Sequence, residues 1–565
     1  MDRAAVRKYA QLFVPKLVTV WREGYHWRDL RHDAVAGLTV AIVALPLAMA
    51  LAIASGTTPE KGLYTAIVAG FLISGLGGSR VQIGGPTAAF IPVVFGVIHR
   101  FGFGGLILCT LLAGLMLIGA GLVRLGTLMK YMPQPVITGF TAGIAVSIFS
   151  SQIKDALGLR IVDLPADMLG RWQAYFQHLS TLQPATALLT VVGLVAILGL
   201  RRWRPSWPGF LIALLSCTAL SLIFDMPTQT IGGRFGGLPS VLPIFEVPHI
   251  PFERTRELLP SSFTIAFLAG VESLLSAVVA DGMTGGRHRS NGELVAQGVA
   301  NVGSALFGGL PATGAIARTA TNIRAGGRTP VAGILHAAFL LVFMLALAPL
   351  MKFVPLAVLA AILLVVAWNM SEVEGFRHTM SAPRGDALVL LLTFGLTVFF
   401  DLTVGIEVGL VVSAFVFMFR MADAVEVSAG IRLLDENGDD KLDDGASQRA
   451  KLPPGVEVYQ ISGPLFFGAA NRLDDLLDQF LEPPRVFILR MRLVPIIDAS
   501  GVHALKTLWA RCRRRNIVLV ISGLQPQPRR IVQQMALYPQ SGELYFVDNY
   551  EAALAIARSV EAASL

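Results

Sequence analysis

Two short segments, Ile83-Gly-Gly-Pro-Thr-Ala-Ala-Phe90 and Gly308-Gly-Leu-Pro-Ala-Thr-Gly-Ala-Ile-Ala-Arg-Thr-Ala-Thr-Asn322, interrupt long apolar stretches with paired glycines and a proline. A backbone that leaves the helix inside a bilayer exposes N–H and C=O groups that lipid cannot satisfy. Such breaks survive only where protein or a water-lined cavity pairs those groups. The chain must therefore fold so that both breaks face inward. Breaks at matching places in two halves are the sequence mark of a ligand site in an inverted repeat.

The bilayer premise rests on composition. Hydrophobic residues make up 54% of the 565-residue chain and charged residues 15%, against about 25% charged in a soluble domain. A spanning helix needs about 20 mostly apolar residues and a half-helix fewer. Spans are predicted near 34–54, 62–78, 84–98, 104–123, 135–151, 185–200 and 208–225, and again near 261–281, 293–308, 313–325, 330–350, 354–371, 386–402 and 405–421. This gives a polytopic α-helical membrane protein of two sets of seven. Because seven is odd, the second set crosses in the opposite sense, so repeats at about 34–225 and 261–421 are inverted. Pro86 and Pro311 stand 225 residues apart (311 − 86), and the first spans 227 apart (261 − 34), as one duplication requires.

Charge supplies the orientation, since Lys and Arg in short loops accumulate on the cytoplasmic side. Arg124 and Lys130, Arg201 to Arg204, Arg287 to Arg289, Arg324 and Arg328, and Arg377 with Arg384 fall on one side, with the basic arm of residues 1–33. That arm lacks the apolar core and cleavage site of a signal peptide. The longer loops, Ser151 to Pro184 and Asp225 to Pro260, fall outside. Both termini are expected in the cytoplasm, with the protein in the inner (plasma) membrane. The net charge of +8 is explained by topology, without nucleic acid. Cys109, Cys217 and Cys512 are too widely spaced for a disulfide framework or a metal cluster, and no cofactor is indicated.

After about Arg420 the pattern changes. Residues 422–452 read as an acidic linker, and 453–560 as a small α/β domain. The latter has strands at Val456–Ile461, Val486–Met491 and Ile517–Ile521 and helices at Arg472–Leu481 and Val502–Arg514. The linker run Asp435 to Asp444 resembles a calcium loop superficially. It fails at the turn glycine, where Asp440 stands, and at the twelfth position, where Ala446 stands.

The break segments carry the chemistry. A half-helix N-terminus presents unpaired N–H groups and roughly half a positive charge, and two of them facing each other supply about one. Arg318 adds another. Glu272, inside an apolar span, costs about 3 kcal/mol to insert and so needs a partner or a function. It is either a coupling site for a proton or cation, or a structural ion pair with Arg318. With Glu272 ionised the site suits a monoanion; with it protonated, a divalent anion. Glycines and a proline also serve close packing or a kink, the plainer reading of either break alone. In the soluble domain, Ile497-Asp-Ala-Ser-Gly501 reads as a strand-to-helix turn with a capping side chain. There is no phosphate loop, no paired acids in a soluble cleft and no nucleophile with its base, so no enzyme is expected.

The run Asp33-Ala-Val-Ala-Gly37, Leu45-Pro-Leu-Ala-Met-Ala50, Gly62-Leu-Tyr64, Ser79-Arg80 and Gly85-Pro86 resembles the SulP (sulfate permease) family of anion transporters. So do Gly270-Val-Glu-Ser-Leu-Leu275, Ala280-Asp-Gly-Met-Thr-Gly285, Asn291, Glu293 and Ala315-Ile-Ala-Arg-Thr-Ala320. The tail resembles that family's cytoplasmic STAS domain. The resemblance implies fourteen segments divided into core and gate domains, with segments three and ten broken, and a homodimer. It places the substrate at Leu47 and Leu51, Thr87 and Ala88, Thr313, Gly314, Ala315, Ala317 and Arg318, with Glu272 as the ion-coupling residue. Ala317 and Leu47 replace a serine and a glutamine of several animal members, so the polar contacts of those positions are lost and the chloride or bicarbonate preference of those members is not taken over as an expectation. Ser500 matches a serine phosphorylated in anti-sigma antagonist relatives, which suggests a cytoplasmic protein partner for the STAS domain. The expected function is secondary active transport of a small anion by alternating access, coupled to protons or sodium. Sulfate is the family default and dicarboxylate or bicarbonate the competitors. The alternatives are a nucleobase permease of the same fold and a membrane-tethered STAS signalling module.

Overall fold

The computed structural model describes residues 11–127, 132–161, 164, 165, 167–204, 207–236, 245, 252–400, 402–423, 425–429, 452–466, 477 and 483–562. Lys130, the acidic run Asp435 to Asp444 and nearly all of the helix predicted at Arg472–Leu481 lie outside the described residues. The chain divides into two compact units, Met1–Val411 and Val412–Leu565.

The first unit opens with a short helix α1 (Lys16–Glu23) and a long one, α2 (Trp27–Ala54). α2 starts seven residues before the predicted span, because Asp29 at its third position accepts from the His26 backbone N–H and caps the end. The helix thus takes in the end of the arm read as 1–33. α3 (Pro59–Leu76) leads to the first break, strand β1 (Gly84–Gly85) and a 3₁₀ turn at Ala88–Phe90. The two spans predicted at 84–98 and 104–123 emerge as one element, α4 (Ile91–Leu122), interrupted at Gly102, whose φ of 68° is left-handed. There glycine makes the corner between two crossings without a loop.

α5 (Gln134–Leu157), α7 (Pro184–Trp203) and α8 (Gly209–Ile223) complete the first set. α5 and a short α6 (Met168–Gln177) reach into the outer loop predicted from Ser151, and α9 (Ile231–Phe235) lies in the next one. The second set runs α10 (Thr255–Thr284), α11 (Ser290–Leu306), the second break with strand β2 (Thr313–Gly314) and α12 (Ile316–Arg324). It continues with α13 (Pro330–Met351), α14 (Leu356–Met370), a short α15 (Val373–Met380), α16 (Arg384–Phe399) and α17 (Leu402–Asp423).

Packing sorts these helices into two groups. α4 lies against α10 and α11, while α13 lies against α2 and α3. α14 and α16 pack on α5, and α7 on α8 and α14. Small residues set the approach: a methyl on Gly62 would meet the Ala48 carbonyl at 2.0 Å, and one on Gly139 the Leu390 carbonyl at 2.6 Å. The grouping follows the core and gate division: α2–α4 with α10–α13, and α5, α7, α8 with α14, α16, α17.

The second unit holds a five-stranded sheet in sequence order: β3 (Glu426–Ala429), β4 (Val456–Ser462), β5 (Val486–Leu493), β6 (Val518–Ser522) and β7 (Leu544–Val547). β3 is antiparallel to β4 and the rest are parallel. This corrects the linker boundary, since β3 falls inside the stretch read as 422–452. Four residues at a sheet edge are too few to show a period of two. α18 (Ala499–Arg514), α19 (Pro526–Gln534) and α20 (Tyr550–Ala562) follow the strands. Strands β5 and β6 hold the apolar runs Val486–Leu489 and Val518–Ile521, as strands of a parallel sheet covered by helices do.

Candidate functional site

The two breaks meet. β1 and β2 pair antiparallel, Gly84 opposite Gly314 and Gly85 opposite Thr313, so each interrupted segment satisfies the other. The remaining broken backbone is paired by side chains from the surrounding helices. Ile83 donates its N–H to the Thr319 hydroxyl and accepts at its carbonyl from the Ala315 N–H. Asn301 reads both sides of Ala312, donating to its carbonyl at 2.8 Å and accepting from its N–H at 2.9 Å. The Leu310 N–H donates to Thr65, and the Leu310 carbonyl accepts from Ser304. Asn322 donates to the Val81 carbonyl. These bonds are what allows non-helical chain to sit deep in a membrane protein.

Space is equally constrained. A methyl on Gly314 would lie 1.5 Å from the Gln82 amide nitrogen, and one on Gly85, at φ 148°, 2.4 Å from the Arg318 guanidinium. The glycines are required by the crossing itself.

A cavity of about 410 Å³ opens where the breaks turn back into helix. It lies between the two helix groups. α2, the 3₁₀ turn, α10 and α12 line one side, and α5, α8, α14 and α17 the other. Of the residues predicted from sequence, Leu47, Leu51, Thr87, Ala88, Glu272, Ala315, Ala317 and Arg318 line it. Thr313 and Gly314 do not. They are consumed by the β1–β2 pairing, and the Thr313 hydroxyl donates to the Ala269 carbonyl at 2.7 Å. This corrects their placement: the strand pairing and the Thr313–Ala269 bond hold both residues away from the cavity.

Both helix starts face the cavity. In α12 the first helical bond is donated by the Thr319 N–H to Ala315, so the N–H groups of Ile316, Ala317 and Arg318 precede it. At the other start Thr87 caps the turn. Its hydroxyl accepts from the Ala89 N–H at 3.2 Å and donates to Glu272 at 3.0 Å. Glu272 is thus tied to the first half-helix rather than to Arg318, and among the described residues the two form no ion pair.

Arg318, 4% exposed, does more than contribute charge. Its two terminal nitrogens donate to the carbonyls of Gly84, at 3.5 Å, and Pro86, while its Nε has no partner. The guanidinium on one half-helix therefore clamps the broken backbone of the other. The sequence reading counted its charge and missed this grip. It also gave no role to Glu293, named only for the resemblance, whose buried carboxylate accepts from the N–H groups of Gly78 and Ser79, the Ser273 hydroxyl and the Gln297 amide. Glu293 as the single charged residue of that helix was the available signal. In the second unit, Ser500 sits in the first turn of α18, which Asp498 caps by accepting from the Gly501 N–H at 2.8 Å.

Comparison with known proteins gives a consistent picture. Residues 30–393 match the sulfate permease family and residues 448–549 the STAS domain. YvdB of Bacillus subtilis, provisionally named a sulfate transporter, is 42% identical over 94% of this chain and 98% of its own. The bicarbonate transporter BicA of Synechocystis is 30% identical, over 91% of this chain and 92% of its own. Among solved structures, SLC26A9 superposes with a TM-score of 0.86 at 17% identity, covering 99% of this chain and 95% of that one. The transmembrane domain of a cyanobacterial BicA superposes with a TM-score of 0.62 at 32% identity, covering 68% of this chain and 98% of that one.

Proposed function

The chain belongs to the sulfate permease family, and on that premise we propose that it is a secondary active carrier of a small anion, held in the cavity between the two half-helix starts. The carrying observation is the antiparallel meeting of the breaks, which aims two helix starts at one space, the second with the N–H groups of Ile316, Ala317 and Arg318 ahead of its first helical bond. A few aligned N–H groups and a fixed cation in a low-dielectric pocket favour an anion over a neutral solute. The pocket's apolar flanks, among them Leu47, Leu51 and Phe140, favour a compact, partly dehydrated ion. Sulfate and bicarbonate are the first candidates, since relatives carry those names, with small dicarboxylates next.

The position of the cavity between two helix groups supports alternating access. The half-helices move with one group, so sliding that group against the other carries the anion from one face to the other. Glu272 is the coupling residue in this reading. Its bond to Thr87 ties its protonation, or its engagement by a sodium ion, to the geometry of the first half-helix. The protein is placed in the inner membrane with both termini cytoplasmic, as a homodimer. Its STAS domain offers Ser500 for phosphorylation and a surface for a cytoplasmic partner.

The test is uptake by purified protein in liposomes, with sulfate, bicarbonate and malonate each offered under imposed proton and sodium gradients. Accumulation of one anion driven by one gradient is expected. Passive leak of all three, insensitive to either gradient, refutes the carrier reading.

A further inference from the structure

Three apolar side chains near the start of the chain point away from the protein although they precede the first predicted span. Val18 and Trp21, three residues apart on one side of α1, are exposed, Trp21 at 69%, and Trp27, the first residue of α2, is 79% exposed. The other side of α1 is held. Val20 is buried, the Lys16 N–H donates to the Gly77 carbonyl at 3.0 Å, and Arg289 donates to the Val14 carbonyl at 2.7 Å and the Thr19 hydroxyl at 3.0 Å. Arg80 pairs with Glu23 at 2.6 Å. A methyl on Gly292 would lie 2.9 Å from the Leu12 carbonyl, so the chain ahead of α1 rests on α11. α1 is tied down in this way, and its outward apolar face is a fixed feature rather than a frayed end.

α2 supplies the frame of reference. Trp27, Arg31, Val35 and Leu38 are all exposed, and spacings of four, four and three place them in one stripe along the helix. Val35 and Leu38 belong to the predicted span, where an exposed face meets hydrocarbon. Trp27 precedes Val35 by eight residues (35 − 27), about 12 Å at 1.5 Å per residue, which puts it in the headgroup layer that Trp favours. Both ends of α1 are tied to that layer. Only Gly24 to His26 separate its last residue from Trp27, and three extended residues span about 10 Å. Its first residue, Lys16, bonds to Gly77, which directly follows the membrane helix α3. A helix fixed at both ends to the ends of two spans lies along the membrane boundary.

We propose that α1 is an interfacial helix whose partner is the lipid headgroup layer, with Val18 and Trp21 inserted beside Trp27 and the opposite side clasping the α3–β1 and α10–α11 connections. An amphipathic helix rests in an interface in this way through the burial of its apolar face. Continuity with the lipid-facing stripe of α2 selects lipid as the occupant. The bonds of α1 named above all reach the group of α2–α4 and α10–α13, so the helix holds that group, which carries both breaks, to the membrane surface. This goes beyond the carrier reading and does not depend on it.

The test reads depth without relying on transport. The three native cysteines are buried, so Val18→Cys in the full chain offers one accessible thiol for a nitroxide. Val35→Cys serves as the hydrocarbon reference and Glu551→Cys, exposed in the second unit, as the water reference. In liposomes, power saturation compares collisions with oxygen, which concentrates in hydrocarbon, and with a water-soluble nickel chelate. The oxygen-to-nickel ratio at Val18→Cys is expected to lie several-fold above that at Glu551→Cys and below that at Val35→Cys. A ratio equal to the water reference overturns the proposal. So does low accessibility to both reagents, which would place this face under protein, whether a second copy or another part of this chain. Trp21→Cys repeats the measurement should Val18→Cys not assemble. Arg289→Ala in the Val18→Cys background removes the donor to Val14 and Thr19, so the nitroxide spectrum should gain mobility; unchanged mobility refutes the clasp.

Discussion

Arg318→Ala probes charge and architecture at once, and the two contributions can be separated. Two half-helix starts supply about one positive charge and the guanidinium about one more, so the substitution removes about half of the cavity's positive field. A unit charge acting on a monoanion at about 6 Å, with an effective dielectric of about 20, is worth about 3 kcal/mol, or about 100-fold in affinity. The architectural loss is of similar size. The carbonyls of Gly84 and Pro86 lose their donor, and each buried unsatisfied group costs about 1–3 kcal/mol.

Arg318→Lys divides the two contributions. It restores a point charge but cannot span two carbonyls as a planar fork does. In liposomes, Arg318→Ala is expected to raise the KM for the transported anion by about 100-fold or to bring uptake below detection. Arg318→Lys should recover KM in part while the melting midpoint, followed by size exclusion after heating, stays lowered. Unchanged KM and uptake rate in Arg318→Ala would refute the reasoning on both counts. Full recovery of stability by lysine would refute the clamp alone.

Four further outcomes follow from the same structure. Gly314→Ala should abolish assembly or uptake, since its methyl falls 1.5 Å from Gln82; a paired Gln82→Ala should restore part of the folded yield on size exclusion. Each Glu293 oxygen accepts two of the four hydrogen bonds, so Glu293→Gln sets an amide donor against two of them, and the melting midpoint should fall by an amount matching about 1–3 kcal/mol for each group left unsatisfied. Glu272→Gln should leave anion binding within a few-fold and remove the dependence of uptake on the driving gradient; retained dependence assigns Glu272 a structural role. In the STAS domain, burial pushes the Cys512 thiol up to about 12 from an ordinary value of 9.0. The folded domain therefore keeps its thiol protonated while the unfolded chain ionises. That contribution to stability is complete below about pH 9 and lost as pH rises toward 12, and Cys512→Ala should flatten this part of the profile in chemical denaturation.

The parts legible in the sequence are those set by local chemistry. The spans came from uninterrupted apolar length, the duplication from spacing, and the strands of the second unit from β-branched runs. The breaks were legible because glycine and proline cannot continue a helix whatever surrounds them. Gly102 was legible only as the gap between two spans, because glycine turns a corner without the polar loop that marks most connections. β3 was hidden by its length, and the capped start of α2 by its polar side chains.

What the sequence determined alone is that two helices break at matching places in an inverted duplication, that Arg318 lies in one of the break segments and that Glu272 lies inside an apolar span. Tertiary structure decided what those groups touch. The β1–β2 pairing withdrew Thr313 and Gly314 from the cavity, Thr87 took Glu272, and Arg318 closed on the carbonyls of the opposite segment. Sequence spacing fixes which residues share a helix face. Which of them meet across 185 to 232 residues of chain depends on how the helices pack, through contacts that have no local signature.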